Sequence, residues 1–159
     1  MNRKLLGIYL NDHLGGSTVG VELARRAARG NQNTEFGEFL STLADEIDED
    51  RESLMSLMDD LGIRKDPVRR ALGWAAEKAG RLKPNGQLTG YSPLSRVVEL
   101  EGLALGVTGK LALWKALRLL GEQEPKLATY PFDHLVDRAE SQQRQLEERR
   151  LAAARLAFA

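Results

Sequence analysis

The chain has two histidines, His13 and His134, and their neighbours decide how much metal chemistry the sequence can support. A dimetal site in a helical bundle takes one Glu from each of two helices and a Glu-x-x-His pair from each of the other two. That spacing puts both ligands of the pair on one helix face. Carboxylate oxygens with imidazole suit iron or manganese. Leu10 stands three residues before His13 and Pro131 three before His134, so neither histidine belongs to such a pair.

The acidic residues nonetheless fall at telling places. Glu101 has Val97, Val98, Ala104 and Leu105 one turn away, which predicts that it points inward. Asp50 interrupts the stripe Leu43, Ile47, Leu54, Leu57, and Glu46 lies one turn before it. Asp12 or His13 lies midway along the first segment. Asp137 and Glu140, three apart like a ligand pair, lie on the last. The candidate metal ligands are therefore Glu46, Asp50, Glu101, Asp137, Glu140 and His13. A buried unpaired carboxylate is costly, so each must meet a metal, share a proton or pair with a cation. Arg51, Arg96, Arg138 and Arg144 are available. An internal ion-pair network without a cofactor is the expectation, and an iron or manganese site the alternative. His13 alone cannot serve two metals, so sub-stoichiometric iron and no rapid oxidation of ferrous ion are expected.

Glycines form the second group. Gly15, Gly16 and Gly20 fall in the first helical segment, and Gly102, Gly106 and Gly109 in the fourth. Each glycine inside a helix costs roughly 1 kcal/mol against alanine, so six of them ask for compensation. A close helix crossing would supply it; a space for a small apolar ligand is the sharper reading. The string Gly106-Val107-Thr108-Gly109-Lys110 is no phosphate loop, because Ala104 and Leu111 stand where that motif needs Gly and Ser or Thr. No serine or threonine has a recognisable nucleophile setting, and two histidines leave few ways to build a triad.

The elements that must position these residues follow from periodicity. Residues 4–29 carry Leu6, Leu10, Leu14 and Val21 and end at Gly30-Asn31-Gln32-Asn33. A second helix opens at Asn33 or Thr34 and stops at Leu61-Gly62, with its stripe running from Phe36 to Leu61. Asp66-Pro67 starts a shorter helix over 67–83, and Ser92-Pro93 starts a long one over 94–120 that is apolar nearly all round. A last helix runs from Phe132 to near the terminus. Trp114 reads as core, and Trp74 as wedged between the short helix and the rest. Four helices of roughly 22–28 residues span about 33–42 Å each. No alternating strand survives. The fold class is all-α, a ferritin-like four-helix bundle in one domain, 1–159, with the short helix in the crossover between the second and third long helices.

Composition agrees. The 159 residues hold 42% hydrophobic and 29% charged residues, with Lys+Arg 23 against Asp+Glu 23 and no cysteine. That excludes disulfides, thiolate metal sites and thiol nucleophiles, and the balanced charge argues against a dedicated nucleic-acid binder. Acidic residues crowd 44–60 and basic ones 64–83, read as solvated, mutually complementary faces. No run is long enough to span a membrane, and Met1-Asn2-Arg3-Lys4 leads into no cleavable signal, so a cytoplasmic protein is expected.

The stretches Leu6-Gly7-Ile8-Tyr9-Leu10-Asn11-Asp12-His13-Leu14, Gly73-Trp74-Ala75-Ala76-Glu77-Lys78 and Glu99-Leu100-Glu101-Gly102-Leu103 resemble a family of small bacterial proteins. That family is similar to the ferritin-like superfamily in helix order and length. The resemblance implies the fold and leaves the activity open. The expected function is a non-enzymatic structural or interaction protein, with a homodimer as one form of it. A carboxylate-bridged metal protein is the alternative, and a carrier of a small apolar ligand a third class.

Overall fold

The computed structural model describes residues 1–66 and 91–159; the helix expected over 67–83, Trp74 included, lies outside the described residues. The described residues form helices with no strand. They are α1 (Arg3–Gly30), α2 (Glu35–Asp60), α3 (Pro93–Gly121), the single turn α4 (Pro125–Ala128) and α5 (Phe132–Phe158). The expected boundaries hold to within two residues. α4 went unanticipated inside the last linker.

Local chemistry sets each end. The Asn2 side chain accepts from Leu5 N at 3.1 Å, capping α1. Thr34 Oγ1 accepts from Gly37 N at 3.3 Å, opening α2. Gly62, at φ +66°, closes α2: its own N–H reaches Asp59 O at 2.9 Å, and Ile63 N reaches Met58 O at 2.8 Å. This pair of bonds needs a left-handed residue, which glycine supplies without steric cost. Ser92 and Pro93 start α3 as expected.

Paired residues fix the helix directions. Arg26 meets Glu99, while His13 faces Gly109, so α1 and α3 are antiparallel. Arg138 meets Asp50 and Arg149 meets Glu35, which sets α2 antiparallel to α5. Lys115 with Glu140 and Arg118 with Asp133 do the same for α3 and α5. α1 and α2 pack as one hairpin, and α3 and α5 as another. α2 and α3 run in the same direction, so the described flanks of the connection 61–92, residues 61–66 and 91–92, stand at opposite ends of the bundle. It departs beside α1, where Asn11 Oδ1 accepts from Asp66 N at 2.6 Å and Asn11 Nδ2 donates to Arg64 O at 3.0 Å. It returns beside α1 as well, with the Tyr91 ring against Gly30.

The apolar interior is in two parts. One gathers Leu10, Leu57, Trp114, Leu117, Leu127 and Phe132 at the end where α1 begins. The other gathers Val21, Phe36, Leu40, Leu100, Leu103 and Leu146 at the opposite end. At the level between them, α2, α3 and α5 carry Asp50, Lys110 and Gln142. There α1 carries its run of small residues from Gly15 to Gly20.

Candidate functional site

Asp50 continues the rhythm 43, 47, 50, 54, 57, so burying the α2 stripe buries its carboxylate as well; it is 2% exposed. Two cations answer it. Lys110 Nζ donates to Asp50 Oδ2, and an Arg138 guanidinium nitrogen donates to Asp50 Oδ1. The second Arg138 nitrogen donates to Glu49 Oε2 at 2.7 Å, while Arg138 Nε is buried without a partner among the described residues. Lys110 Nζ also donates to Gln142 Oε1, and Gln142 Nε2 donates to Glu46 Oε2 at 2.7 Å. Burial lowers the Lys110 pKa in spite of the Asp50 charge beside it. Burial also works against the Arg138 charge, but Asp50 and Glu49 outweigh it and raise its pKa.

Of the expected metal ligands, only Glu46 and Asp50 meet in this layer. Glu101 does not point inward. Its side chain is half exposed, with Arg150 at 3.6 Å, and the buried acid of α3 is Glu99 at 5%. The physical reason is that α3 is apolar nearly all round, so apolar neighbours one turn away do not fix the phase of the helix; Leu105, one such neighbour, is 66% exposed. Asp137 is exposed, and Glu140 pairs at the surface with Lys115 at 2.8 Å. His134 is exposed at the start of α5. His13 packs edge-on against Tyr9, with ring centroids 4.6 Å apart, and burial lowers its pKa. Among the described residues no three His, Asp or Glu side chains gather where they could hold a metal ion. The donor set does not fit a dimetal centre, because the Lys110 ammonium and the Arg138 guanidinium already neutralise the one fully buried carboxylate of the layer.

Lys110 and Gln142 were not singled out from the sequence, although both carry a signal. Gln142 sits on the α5 stripe between Ala139 and Leu146, and Lys110 between Val107 and Leu111. A polar residue in a buried stripe opposite an acid in another stripe marks an ion-pair layer.

A second polar cluster ties the start of α3 to the α1–α2 turn. Glu99 accepts from the Tyr91 hydroxyl and meets Arg26 at 3.2 Å. Arg96 donates to Asn31 Oδ1 and lies 4.5 Å from the centroid of the Phe36 ring. Burial and the bond to Glu99 push the Tyr91 pKa far above 10.0. The folded state therefore keeps this proton at pH values where the unfolded chain has lost it. The stabilisation is complete below pH 10 and is lost as pH rises through the raised folded value. The stability difference between the natural protein and Tyr91→Phe, from urea titrations at pH 8 and pH 11, should shrink at the higher pH. An unchanged difference would show the hydroxyl to be hydrated.

Between α1 and α3 lies a groove of about 1060 Å³. The expected close crossing of glycine faces is not seen at these positions: an added Cβ would lie 3.2 Å from the Leu23 Cδ2 side chain at Gly102, 4.0 Å from His13 Cε1 at Gly109 and 3.8 Å from Ile47 Cγ2 at Gly20. At Gly16 and Gly106 it would meet nothing within 4 Å among the described residues. Leu23, Leu54, Leu103, Val107 and Leu113 line the walls, and the groove reaches Asp50 and Lys110 where α1 is small. Tyr9, His13 and Trp114 line one end, while Arg25, Arg26 and Arg29 line the other. Trp114 is 1% exposed, and its Nε1 has no hydrogen-bond partner among the described residues. No helix among the described residues is long and apolar enough to cross a membrane. No family model matches the chain, and no curated protein or solved structure matches it.

Proposed function

We propose that this protein is a ferritin-like four-helix bundle whose mid-bundle position holds an ion-pair layer in place of a metal centre, and that it binds an elongated apolar small molecule in the groove between α1 and α3. The helix directions support the fold: two antiparallel hairpins, with the end of α2 and the start of α3 at opposite ends. One observation carries the function. Gly16 and Gly106 weaken their helices, and among the described residues no atom stands where their side chains would be, so neither is needed for packing between the described helices. The volume, about 1060 Å³, stands at the upper end of small-molecule sites. From His13 to Arg29 the groove follows α1 for about 24 Å at 1.5 Å per residue, which suits a chain-like ligand.

The test joins stability to binding. Gly16→Ala and Gly106→Ala should each raise the stability of the empty protein by up to ~1 kcal/mol in urea titrations. Gly106→Phe, which fills the groove, should reduce binding of the uncharged fluorescent dye N-phenyl-1-naphthylamine at least tenfold. Dye binding that survives this substitution would place the site elsewhere. Absence of dye binding to the unaltered protein would overturn the reading.

A further inference from the structure

α3 is apolar nearly all round, and a helix of that kind is ordinarily enclosed on every side. α1, the short α4 and α5 pack against it, yet one side stays open. Leu105 is 66% exposed and Leu119 62%, and Ala112 between them is exposed as well. We infer that this open side of α3 is the contact face of a homodimer, in which the second copy's α3 runs antiparallel about a two-fold axis beside Ala112. Leu105 also lines the edge of the groove, so the two surfaces adjoin without depending on each other.

Symmetry selects a second copy as the occupant. Leu105 and Leu119 stand seven residues either side of Ala112, so a two-fold axis there sets each leucine against the other leucine of the second copy. The small Ala112 side chain lets the two helices approach where they cross. Charge repeats the symmetry on α5. Asp137 and Arg144 are exposed, seven residues apart, and neither makes a hydrogen bond or ion pair among the described residues. The bonds of Lys115 to Glu140 and of Gln143 to Thr108 set the midpoint between Asp137 and Arg144 level with Ala112. The axis that pairs the leucines therefore carries Arg144 onto Asp137 of the second copy, and Asp137 onto its Arg144. Each Glu140, close to the axis, is already matched by Lys115 of its own chain. The outward faces of α3 and α5, about 27 Å long and about 10 Å wide each, offer roughly 550 Å² per copy. That is below the ~800 Å² per partner of standard interfaces, so the dimer is expected to have a micromolar Kd.

The chain has no cysteine, so single introduced cysteines report on the contact without background. Under mild oxidation Ala112→Cys should link to its own copy, because it stands at the axis. Leu105→Cys and Leu119→Cys, each about 21 Å along the helix from its own counterpart, should fail to link alone and link when the two proteins are mixed. Sedimentation equilibrium of the natural chain should show a dimer that weakens at least about tenfold in Leu105→Glu. Asp137→Arg and Arg144→Asp should each weaken it about threefold, and the two together should restore it, a reversal that misfolding does not produce. A chain that stays monomeric at about 0.5 mM would overturn the inference. So would a dimer indifferent to Leu105→Glu and to both charge reversals, or one in which Ala112→Cys does not link.

Discussion

Replacing Asp50 with alanine is expected to cost about 3–5 kcal/mol, because it leaves the buried Lys110 ammonium with the neutral Gln142 amide oxygen and the Arg138 guanidinium with only the solvent-exposed Glu49. Lys110→Met should cost less, since Arg138 continues to neutralise Asp50. Replacing all three with apolar residues of similar size should bring stability back to the natural level or above it, because a buried charge network is costly to desolvate even when complete. Urea denaturation of the three variants reads the series directly. A loss under ~1 kcal/mol for Asp50→Ala would show that water reaches the layer and solvates the stranded cations.

Among the described glycines, Gly37→Ala should be the most damaging substitution, at about 3 kcal/mol. An added Cβ would lie 2.3 Å from the Asn31 carbonyl oxygen and 2.9 Å from its carbon, and both are backbone atoms that cannot swing aside. The same carbonyl accepts from Thr34 N at 3.2 Å and from Thr34 Oγ1 at 2.7 Å, so displacing it also loosens the α2 cap. Asn31 holds Arg96 of α3 through its side chain, which carries the damage to a third helix. Thermal unfolding followed by circular dichroism checks this. The contrast with Gly106→Ala, expected to stabilise, separates a glycine kept for contact from one kept for room. A change within ~0.5 kcal/mol at Gly37 would mean the turn relaxes around the methyl group.

Much of the helix pattern was legible because caps and stops act locally. Thr34, Gly62 and Ser92-Pro93 do their work through bonds to residues at most five positions away, and a sequence displays such bonds in full. Asp50 was legible for a related reason: α2 has a sharp polar face, so an acid in its stripe could only point inward. Glu101 was not, because the sequence of α3 is apolar nearly all round and offers no polar face to set its phase, so the exposed side that carries Leu105 and Leu119 could not be told from the buried one. The partners of Asp50 were missed because Lys110 lies 60 residues away and Arg138 lies 88. Which cation meets which acid depends on the register between helices, and no single stripe contains that register. The groove was half legible. The glycines announced a special relation between the first and fourth helical segments, but whether two small-residue faces close or stand apart depends on how far larger neighbours hold the helices open. The Tyr91–Glu99 cluster gave no signal, since a tyrosine ahead of a helix cap is ordinary in sequence.

Short links within each hairpin, and one long connection between them, bear on the order of events as the chain folds. α1 with α2, and α3 with α5, bring together residues near in sequence and lose little loop entropy, so each pair is expected to form early and fast. The charged layer needs α2, α3 and α5 at once, so it assembles only as the two pairs dock. Stopped-flow kinetics on Asp50→Ala should accordingly show a nearly unchanged refolding rate and an unfolding rate faster by about two to four orders of magnitude. Charges gathered last serve as a latch: they set how long the native state lasts once formed, and hardly affect how quickly it is reached.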